Sequence, residues 1–170
     1  MREQFARTPY AVSFRAGAIT FLLVTLHVKF GKSSAERIPE LEGIAAWMED
    51  WAKRTTEWEQ NFIVLGDFNI DRRDDPAHKA FASRGLTVAP PHRDLPRTIF
   101  DKDGNLNKNS FYDQIAWFID GRRALINMRL KTGGNFDFRP HAYRDLHLTN
   151  QQLSFRLSDH YPLWVEFDLS

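Results

Sequence analysis

The sequence predicts a mixed α/β sandwich, and three observations support this fold class. Short apolar runs rich in β-branched residues stand beside one long segment in which apolar residues recur at helical spacing. Some of the strand-like runs lie close enough in the chain to pair as hairpins, which argues against a purely parallel sheet. The chain has 170 residues, of which 42% are hydrophobic, so one domain with a sizeable core is possible.

The first elements are predicted to be a hairpin that leads into a buried strand. Apolar and polar residues alternate over Ala11 to Phe14, and a denser apolar run extends from Ile19 to Val28. Gly17 lies between the two runs and is suited to a turn. We therefore expect the second strand to end near His27.

The next element is predicted to be an amphipathic helix over about Ala35 to Arg54. Ser33 and Ser34 offer N-caps, and Glu36 stands three residues after Ser33, as in a capping box. Apolar residues follow at helical spacing: Ile38, Leu41, Ile44, Ala45, Met48 and Trp51. We expect this apolar stripe to pack on a sheet.

A buried strand and a short helix are predicted next. Phe62 to Leu65 is an apolar run that Gly66 follows, so we expect a strand, then a turn and a loop through Asn69. Pro76 begins a helix that extends to about Ser83, and Gly85 is suited to the position after its C-terminus.

The remaining elements are predicted to be short strands separated by turns. The runs are Leu86 to Val88, Gln114 to Ile119, Ala124 to Leu130 and Leu163 to Phe167. A turn around Asp120-Gly121 joins the middle two, and Gly133 and Gly134 are expected to interrupt regular structure. Residues 141–152 have no clear assignment.

Charge and composition restrict the function classes. The formal net charge is +1, so no basic field over the whole molecule attracts nucleic acid, and a polyanion would have to meet a local patch. There is no cysteine, which excludes disulfides and thiolate chemistry. The apolar run from Ala18 to Leu26 is far shorter than the ~20 residues that span a bilayer. We expect a soluble, cytoplasmic protein without a membrane span.

Polar, titratable residues stand beside several of the strand-like runs. They are His27, the pair Asp67 and Asn69, Asp113, and the pair Asp159 and His160. Carboxylates can hold a hard cation, an amide can donate to a phosphoryl oxygen, and histidines can transfer protons. Each residue alone fits ordinary turn and capping chemistry. The set together suits metal-assisted hydrolysis of a phosphate ester.

Five ordered segments carry a resemblance to a known family. They are Arg7-Thr8-Pro9, the strand that ends at His27, Leu65-Gly66-Asp67-Phe68-Asn69, Tyr112-Asp113-Gln114-Ile115, and Phe136-Asp137-Phe138 ahead of Leu157-Ser158-Asp159-His160-Tyr161-Pro162. On these segments the chain resembles the endonuclease/exonuclease/phosphatase superfamily, the group of deoxyribonuclease I. The resemblance implies a four-layer αββα sandwich and a hydrolase that uses Mg²⁺ or Mn²⁺.

The resemblance also implies roles for single residues. The position of Asp67 helps to position or activate the attacking water, and the amide of Asn69 contacts a phosphoryl oxygen. His160 lies next to the scissile phosphate, and Asp113 orients it and raises its pKa. His27 corresponds to a second histidine on the phosphate side.

Two further roles concern the metal and the substrate backbone. Asp159 matches a metal-binding carboxylate, and Asp67 is a second candidate ligand. Arg7 resembles the arginine that meets a backbone phosphate, for which its fork of donors is suited. Arg72 and Arg73 could extend a phosphate-facing patch, but flanking aspartates favour a solvated loop.

Two segments that relatives carry before the one matching Arg7 have no counterpart in this sequence. Relatives carry an N-terminal strand with Asn or Asp, and then the glutamate that is the chief metal ligand, before the segment that matches Arg7. We therefore expect a C-terminal portion of the fold with weak metal binding, and self-association through exposed sheet. The preferred hypothesis is a nuclease-like phosphodiester hydrolase. The alternatives are a truncated, non-catalytic fragment that binds a polyanion or partner, and a phosphatase or phospholipase of the same superfamily.

Overall fold

The main sheet has six strands and a mixed topology. The computed structural model describes residues 5–54, 61–97, 99–107, 110–120 and 123–169. The strands are β1 (Tyr10–Ala16), β2 (Ile19–His27), β3 (Phe62–Ile70), β4 (Leu86–Val88), β5 (Phe111–Asp120) and β6 (Arg123–Ala124). Their order is β1-β2-β3-β5-β4, with β6 beside β5. β2 and β3 pair in parallel, whereas the other neighbours are antiparallel, so the predicted hairpin and the mixed sheet are confirmed.

Two helices cover one face of this sheet. A 3₁₀ turn (Ser34–Arg37) leads into α1 (Ile38–Lys53), and α2 (Pro76–Ala82) lies against α1. The predicted stripe of α1 is confirmed, since its buried residues are Leu41, Ile44, Ala45 and Met48. Among the described helices, none has the length and apolar character that crossing a membrane requires.

The predicted capping box at Ser33 is wrong. Ser33 precedes the 3₁₀ turn with an extended backbone, but its side chain makes no capping hydrogen bond. The carboxylate of Glu36 instead accepts from the backbone N–H of Lys32 at 3.3 Å. The helix therefore begins without the reciprocal pair of bonds that the spacing indicated.

A second sheet packs on the other face of the main sheet. It pairs β7 (Arg129–Asn135) with β8 (Leu163–Asp168) in antiparallel orientation. Ile63, Ile115, Trp117 and Met128 are buried between the sheets, and the rings of Trp117 and Phe167 meet edge to face at 5.6 Å. The described residues thus stack a helix layer, the six-stranded sheet and the two-stranded sheet, which confirms the predicted mixed α/β sandwich and gives three of the four layers that the resemblance implies.

The glycines that were expected to interrupt regular structure lie inside β7. A Cβ on Gly133 would stand 2.8 Å from the carbonyl oxygen of Trp164, and the indole of Trp164 packs against Gly134. These glycines therefore mark the close approach of β8, not the end of a strand. The predicted strand over Ala124 to Leu130 is largely wrong, because β6 ends at Ala124 and β7 begins only at Arg129. The turn predicted at Asp120-Gly121 includes residues 121–122, which lie outside the described residues.

β3 also continues beyond the predicted boundary. Gly66 has φ +139° within the strand, and a Cβ there would stand 2.0 Å from the carbonyl oxygen of Leu26 on β2. The pairing with β5 shifts register between Asp67 and Ile70, so a bulge replaces the predicted loop. Asp67 is consequently held on a strand.

One helix was missed in the unassigned region. α3 (Asn150–Arg156) begins with a capping box, in which Thr149 Oγ1 accepts from the N–H of Gln152 at 3.2 Å and Gln152 Oε1 accepts from the N–H of Thr149 at 2.9 Å. Leu153 of α3 packs in a cluster with Phe100, Phe138 and Tyr161. This cluster supports the segment that carries His160.

Candidate functional site

Three of the predicted site residues lie side by side on neighbouring strands. His27 at the end of β2 is the register partner of Asp67 on β3, and Asp67 is the register partner of Asp113 on β5. Side chains of register partners lie on the same face of a sheet. The carboxyl ends of the two parallel strands therefore meet the start of β5 at one edge, a position at which open α/β sheets commonly hold ligands.

Asp67 is a half-buried carboxylate with two polar neighbours. Its Oδ1 accepts from the backbone N–H of Asn69 at 2.8 Å, and its Oδ2 lies 3.5 Å from His27 Nε2. Burial raises the pKa of Asp67, and the charge of Asp113 raises it further, whereas the bond from Asn69 and the charges of the histidines lower it less. Asp67 is therefore a stronger base than an ordinary aspartate when it is ionised.

His160 and Asp113 form the shortest link across the site. His160 Nδ1 lies 2.7 Å from Asp113 Oδ2, although 47 residues separate them in the chain. Burial alone would lower the pKa of His160, but the hydrogen bond and charge of Asp113, with the charges of Asp159 and Asp67, raise it overall. The pairing of Nδ1 leaves Nε2 as the nitrogen that a substrate can meet.

Asp159 lies on the Nε2 side of His160. Its Oδ1 is 3.9 Å from His160 Nε2, and its carboxylate is half exposed. Its carbonyl oxygen accepts from the N–H of Phe100 at 2.9 Å, and His160 pairs with Ile99 in an isolated β-bridge. These bonds hold the Asp159-His160 pair against the segment around Ile99.

Asn69 is placed inside the structure and not at its surface. Its side chain is 3% exposed, its backbone is left-handed with φ 51°, and its amide Nδ2 donates to the carbonyl oxygen of Val28 at 2.8 Å. This bond joins the segment after β2 to the bulge in β3. In this arrangement Asn69 holds the strand ends that carry His27 and Asp67, and its predicted contact with a phosphoryl oxygen stays a prediction.

A buried arginine that sequence reasoning missed supports this bulge. Arg37 Nη1 donates to the carbonyl oxygen of Asn69 at 2.5 Å and lies 3.0 Å from Asp71 Oδ1, and its Nε donates to the carbonyl oxygen of Phe30 at 2.6 Å. A sequence signal was available, because Arg37 stands four residues before Leu41 and so falls on the apolar stripe. A charged residue on such a stripe needs a buried partner.

Arg7 lies at the same edge of the sheet. Its Nη1 donates to the carbonyl oxygens of His27 and Val28, at 3.3 and 3.2 Å. The side chain is exposed, and a guanidinium has further donors that can meet an anion. The structure thus places Arg7 beside His27, and its contact with a backbone phosphate stays a prediction.

A cavity adjoins the His160–Asp113 pair. It has a volume of about 450 Å³ and lies between β3, β5 and the segment around His160. Asp113, Ser158 and His160 supply its polar wall, whereas Phe136 and Phe138 are among its apolar residues. Its size is typical of small-molecule sites.

The described residues do not assemble a metal site of the kind that the resemblance implies. No group of three or more His, Asp or Glu side chains stands close enough to hold an ion within the described ranges. Asp67 and Asp159 alone leave most of the six oxygen ligands of Mg²⁺ to be supplied by water or substrate. The ligand roles of Asp67 and Asp159 therefore stay predictions, and we assign no reaction step to a metal.

Comparison with known proteins agrees with the predicted family. The chain matches no protein-family model. A curated deoxyribonuclease of Thioalkalivibrio sp. (strain K90mix) is 30% identical over 90 residues, which is 52% of this chain and 24% of that protein. The chain thus spans about a quarter of the length of this relative.

Solved structures resemble nearly the whole chain. A mannosyl-6-phosphatase of Bacteroides thetaiotaomicron VPI-5482 superposes over 90% of this chain and 53% of its own, with a TM-score of 0.57 and 18% identity. An endonuclease/exonuclease/phosphatase family protein from Leptotrichia buccalis C-1013-b superposes over 95% of this chain and 54% of its own, with a TM-score of 0.55 and 15% identity. A humanized D. rerio TDP2 with 14 mutations superposes over 94% of this chain and 60% of its own, with a TM-score of 0.58 and 14% identity.

The likeness in structure and the order of the motifs agree with each other. The chain spans slightly more than half the length of each of these solved proteins, at low sequence identity. The predicted resemblance is confirmed: this chain has the deoxyribonuclease I-like fold of the endonuclease/exonuclease/phosphatase superfamily.

Proposed function

We propose that this chain is a phosphodiester hydrolase of the nuclease type, in which Asp67 and His160 act on one scissile phosphate. The observation that carries the proposal is the 2.7 Å hydrogen bond between His160 and Asp113, formed on the strand next to Asp67. It supports the proposal because Asp67, the carboxylate proposed as the base, and the imidazole held by Asp113 lie at the same edge of the sheet. The printed name of the curated relative, a deoxyribonuclease, agrees with this substrate class.

Asp67 is proposed to accept a proton from the attacking water. As the water oxygen forms its bond to phosphorus, its proton passes to Asp67 Oδ2. Burial supports this role because it raises the pKa of the Asp67 carboxyl and so strengthens the ionised form as a base. His27 Nε2 lies 3.5 Å from the same oxygen, and a protonated His27 would stabilise the ionised carboxylate of Asp67.

His160 is proposed to act on the leaving group. The imidazolium donates its Nε2 proton to the ester oxygen as the bond between that oxygen and phosphorus breaks. Asp113 keeps Nδ1 protonated and raises the pKa of His160, so more of the acid form is present at neutral pH. The products are a phosphate monoester and an alcohol; Asp67 then releases its proton to solvent, and His160 takes one up.

Arg7 is proposed to bind a neighbouring phosphate of the substrate. It lies beside His27 and is exposed, so a polyanion that reaches the site can meet its remaining donors. With a net charge of only +1, the chain needs such local cations for nucleic acid. This favours a short contact over a long footprint along DNA.

The first test is hydrolysis by the purified chain and two variants. Substrates are DNA, RNA, bis(p-nitrophenyl) phosphate and p-nitrophenyl phosphate, each in EDTA, in MgCl₂ and in MnCl₂, so that the predicted cofactor is tested in the same assay. We expect Asp67→Asn and His160→Gln each to lower the rate about 10²- to 10⁴-fold, the range of general acid–base catalysis. Asp103→Asn removes the exposed carboxylate of a turn that contributes no side chain to the candidate site, and it should change nothing.

The outcomes separate the candidate functions. Cleavage of the monoester without the diesters would favour the phosphatase alternative. If no substrate is hydrolysed in any buffer, or if the two variants match the parent chain, the proposed function is wrong for this chain.

The pH profile gives a second, independent test. Activity requires ionised Asp67 and protonated His160, so the rate rises as Asp67 ionises and falls as His160 loses its proton. Both pKa values are raised, from ordinary values of 3.8 and 6.5, so both limbs lie at higher pH than unperturbed groups would give. An alkaline limb that persists in His160→Gln would contradict the assignment.

A further inference from the structure

A second cavity lies on the other face of β5 from the candidate site. It has a volume of about 170 Å³ and is bounded by α2, β4 and the segment around Arg97. Leu86 and Val88 of its wall pack in the buried cluster beneath α1 and α2, whereas Ile115, which lies on the same face of β5 as Asp113, packs against the second sheet. The cavity and the catalytic residues are therefore on opposite sides of the main sheet.

Arg97 is a buried cation whose hydrogen bonds are incomplete. It is 1% exposed, and its Nη2 donates to Gln114 Oε1 at 3.3 Å, while its guanidinium stacks over the ring of Phe111 at 4.7 Å. Its Nε and Nη1 have no hydrogen-bond partner in the part of the chain that the structure describes. Burial lowers the pKa of Arg97 to about 10, so the group is still charged at neutral pH. Two nitrogens without hydrogen-bond partners on a buried charge are costly, because water no longer solvates them.

The rest of the cavity wall is also basic. Arg73 and Arg93 are exposed residues of the wall, and Asp74 is its carboxylate. Arg73 Nη1 is paired with Asp94 at 2.6 Å, whereas Arg93 has no ion pair among the described residues. Asp94 and Asp74 both lie within ion-pair distance of Arg73, so the positive excess that faces the cavity comes from Arg93 and Arg97.

His78 adds a polar group without a fixed charge. Its Nδ1 lies 3.8 Å from Asp74 Oδ1, and burial, together with the nearby arginines, lowers its pKa in spite of the aspartates. A neutral imidazole at this wall can accept or donate a hydrogen bond. The wall thus offers a buried cation, an exposed cation and a neutral donor.

We propose that this cavity binds a phosphate group, either as the free ion or as the end of a small phosphate monoester, with Arg97 at its base. A phosphate carries several strong acceptor oxygens for the unpaired nitrogens of Arg97, and its negative charge would add to that of Asp113, which already favours the charged form of Arg97. The cavity is smaller than the roughly 300–1,000 Å³ of typical sites for larger ligands, which favours a small ion. The proposal is independent of the proposed hydrolase function, because it concerns the opposite face of the sheet.

The test measures phosphate-dependent stability and affinity. Thermal unfolding and titration calorimetry use sodium phosphate and glycerol 3-phosphate, with sodium chloride at matched ionic strength as the reference. Either phosphate should raise the unfolding temperature of the parent chain, because it binds only the folded form. Arg97→Met should abolish this rise and weaken binding at least about tenfold.

Arg97→Met also separates a binding role from a purely structural one. Arg97→Met removes a buried charge but also leaves Gln114 Oε1 without its donor, and because these effects oppose each other, stability in phosphate-free buffer should change little. If Arg97→Met does not fold, Arg93→Gln carries the test, since Arg93 is exposed and its loss should weaken phosphate binding by a smaller factor. Arg15→Gln is the matched control, because it removes an exposed arginine on β1, at the opposite edge of the sheet.

A third variant locates the bound ion. His160→Gln should retain the phosphate-dependent rise, because the candidate active site is not needed. If the rise is lost in His160→Gln and retained in Arg97→Met, phosphate binds at the candidate active site and the proposal is overturned. The proposal is also overturned if neither phosphate stabilises the parent chain. Neither result depends on whether the chain hydrolyses diesters.

Discussion

Asp113→Asn is the most informative single change at the candidate site. Asparagine has nearly the shape of aspartate and can still accept the hydrogen bond from His160 Nδ1, so the variant removes charge without removing volume. The bond joins two side chains of which only 24% and 23% are exposed. It is therefore not comparable to a surface ion pair, for which the median contribution is about 0–1 kcal/mol.

The size and sign of the effect follow from the His160–Asp113 pair. Hydrogen bonds to charged groups contribute about 1.5–3 kcal/mol, so a coupling of this order is expected while His160 is protonated. The pKa of His160 in the folded chain is raised above its ordinary 6.5. The stabilisation is consequently complete below pH 6.5 and is lost as pH rises through the folded pKa. Asp113→Asn should cost more stability at pH 5.5 than at pH 9.

The assay combines a double-mutant cycle with an NMR titration. Urea unfolding of the parent chain, Asp113→Asn, His160→Gln and the double variant at both pH values gives the coupling between the two side chains. The NMR titration of the His160 ring should show a lower pKa in Asp113→Asn, because the hydrogen bond and charge of Asp113 are lost while burial of the ring remains. The cycle also removes the effect of Asp113 on other neighbours, such as Arg97.

Two results would refute this reasoning. One is an unchanged pKa of His160 in Asp113→Asn, which would mean that the carboxylate does not control the imidazole. The other is a coupling free energy that is the same at both pH values, which would mean that the charge of His160 has no part in the interaction.

Two further predictions concern the support of the site. Gly66→Ala should lower the free energy of unfolding by at least about 2 kcal/mol, since its Cβ would stand 2.0 Å from the carbonyl oxygen of Leu26. Gly17→Ala is the control, because its Cβ would meet nothing within 4 Å, and it should cost only the penalty of a left-handed backbone, about 1–2 kcal/mol. Equal losses of unfolding free energy for the two variants in urea would contradict the packing argument. Arg37→Met should cost about 3–5 kcal/mol and slow hydrolysis, because the carbonyl oxygens of Phe30 and of Asn69 in the bulge lose their donor. Arg54→Met, an exposed arginine just beyond the same helix, should cost less than about 1 kcal/mol, and a similar loss in both would refute a positioning role.

Local patterns predicted most of the elements correctly. The hairpin, the stripe of α1, the short helix after Pro76 and the last strand all follow from spacing that depends on near neighbours. α3 was missed although Thr149 and Gln152 form a capping box, because its apolar positions are too few to show a period.

The errors at glycines have a different cause. Gly66 and Gly133 were assigned as breaks, yet both lie within strands where a neighbouring backbone comes too close for a Cβ. A single sequence does not show which neighbour approaches, so the same residue type fits a turn and a tight strand contact equally well.

The sequence by itself determined the fold class and the chemical types at the site. The motifs around Asp67 and His160 are local strings, and their order along the chain was sufficient to indicate the superfamily whose fold the structure shares. Tertiary structure alone decided which residues meet: it paired His160 with Asp113 across 47 positions, turned Asn69 inward under Arg37, and buried Arg97 with unpaired donors. The physical reason is that residue type depends on local sequence, whereas distance and burial depend on strand register and on packing between distant segments.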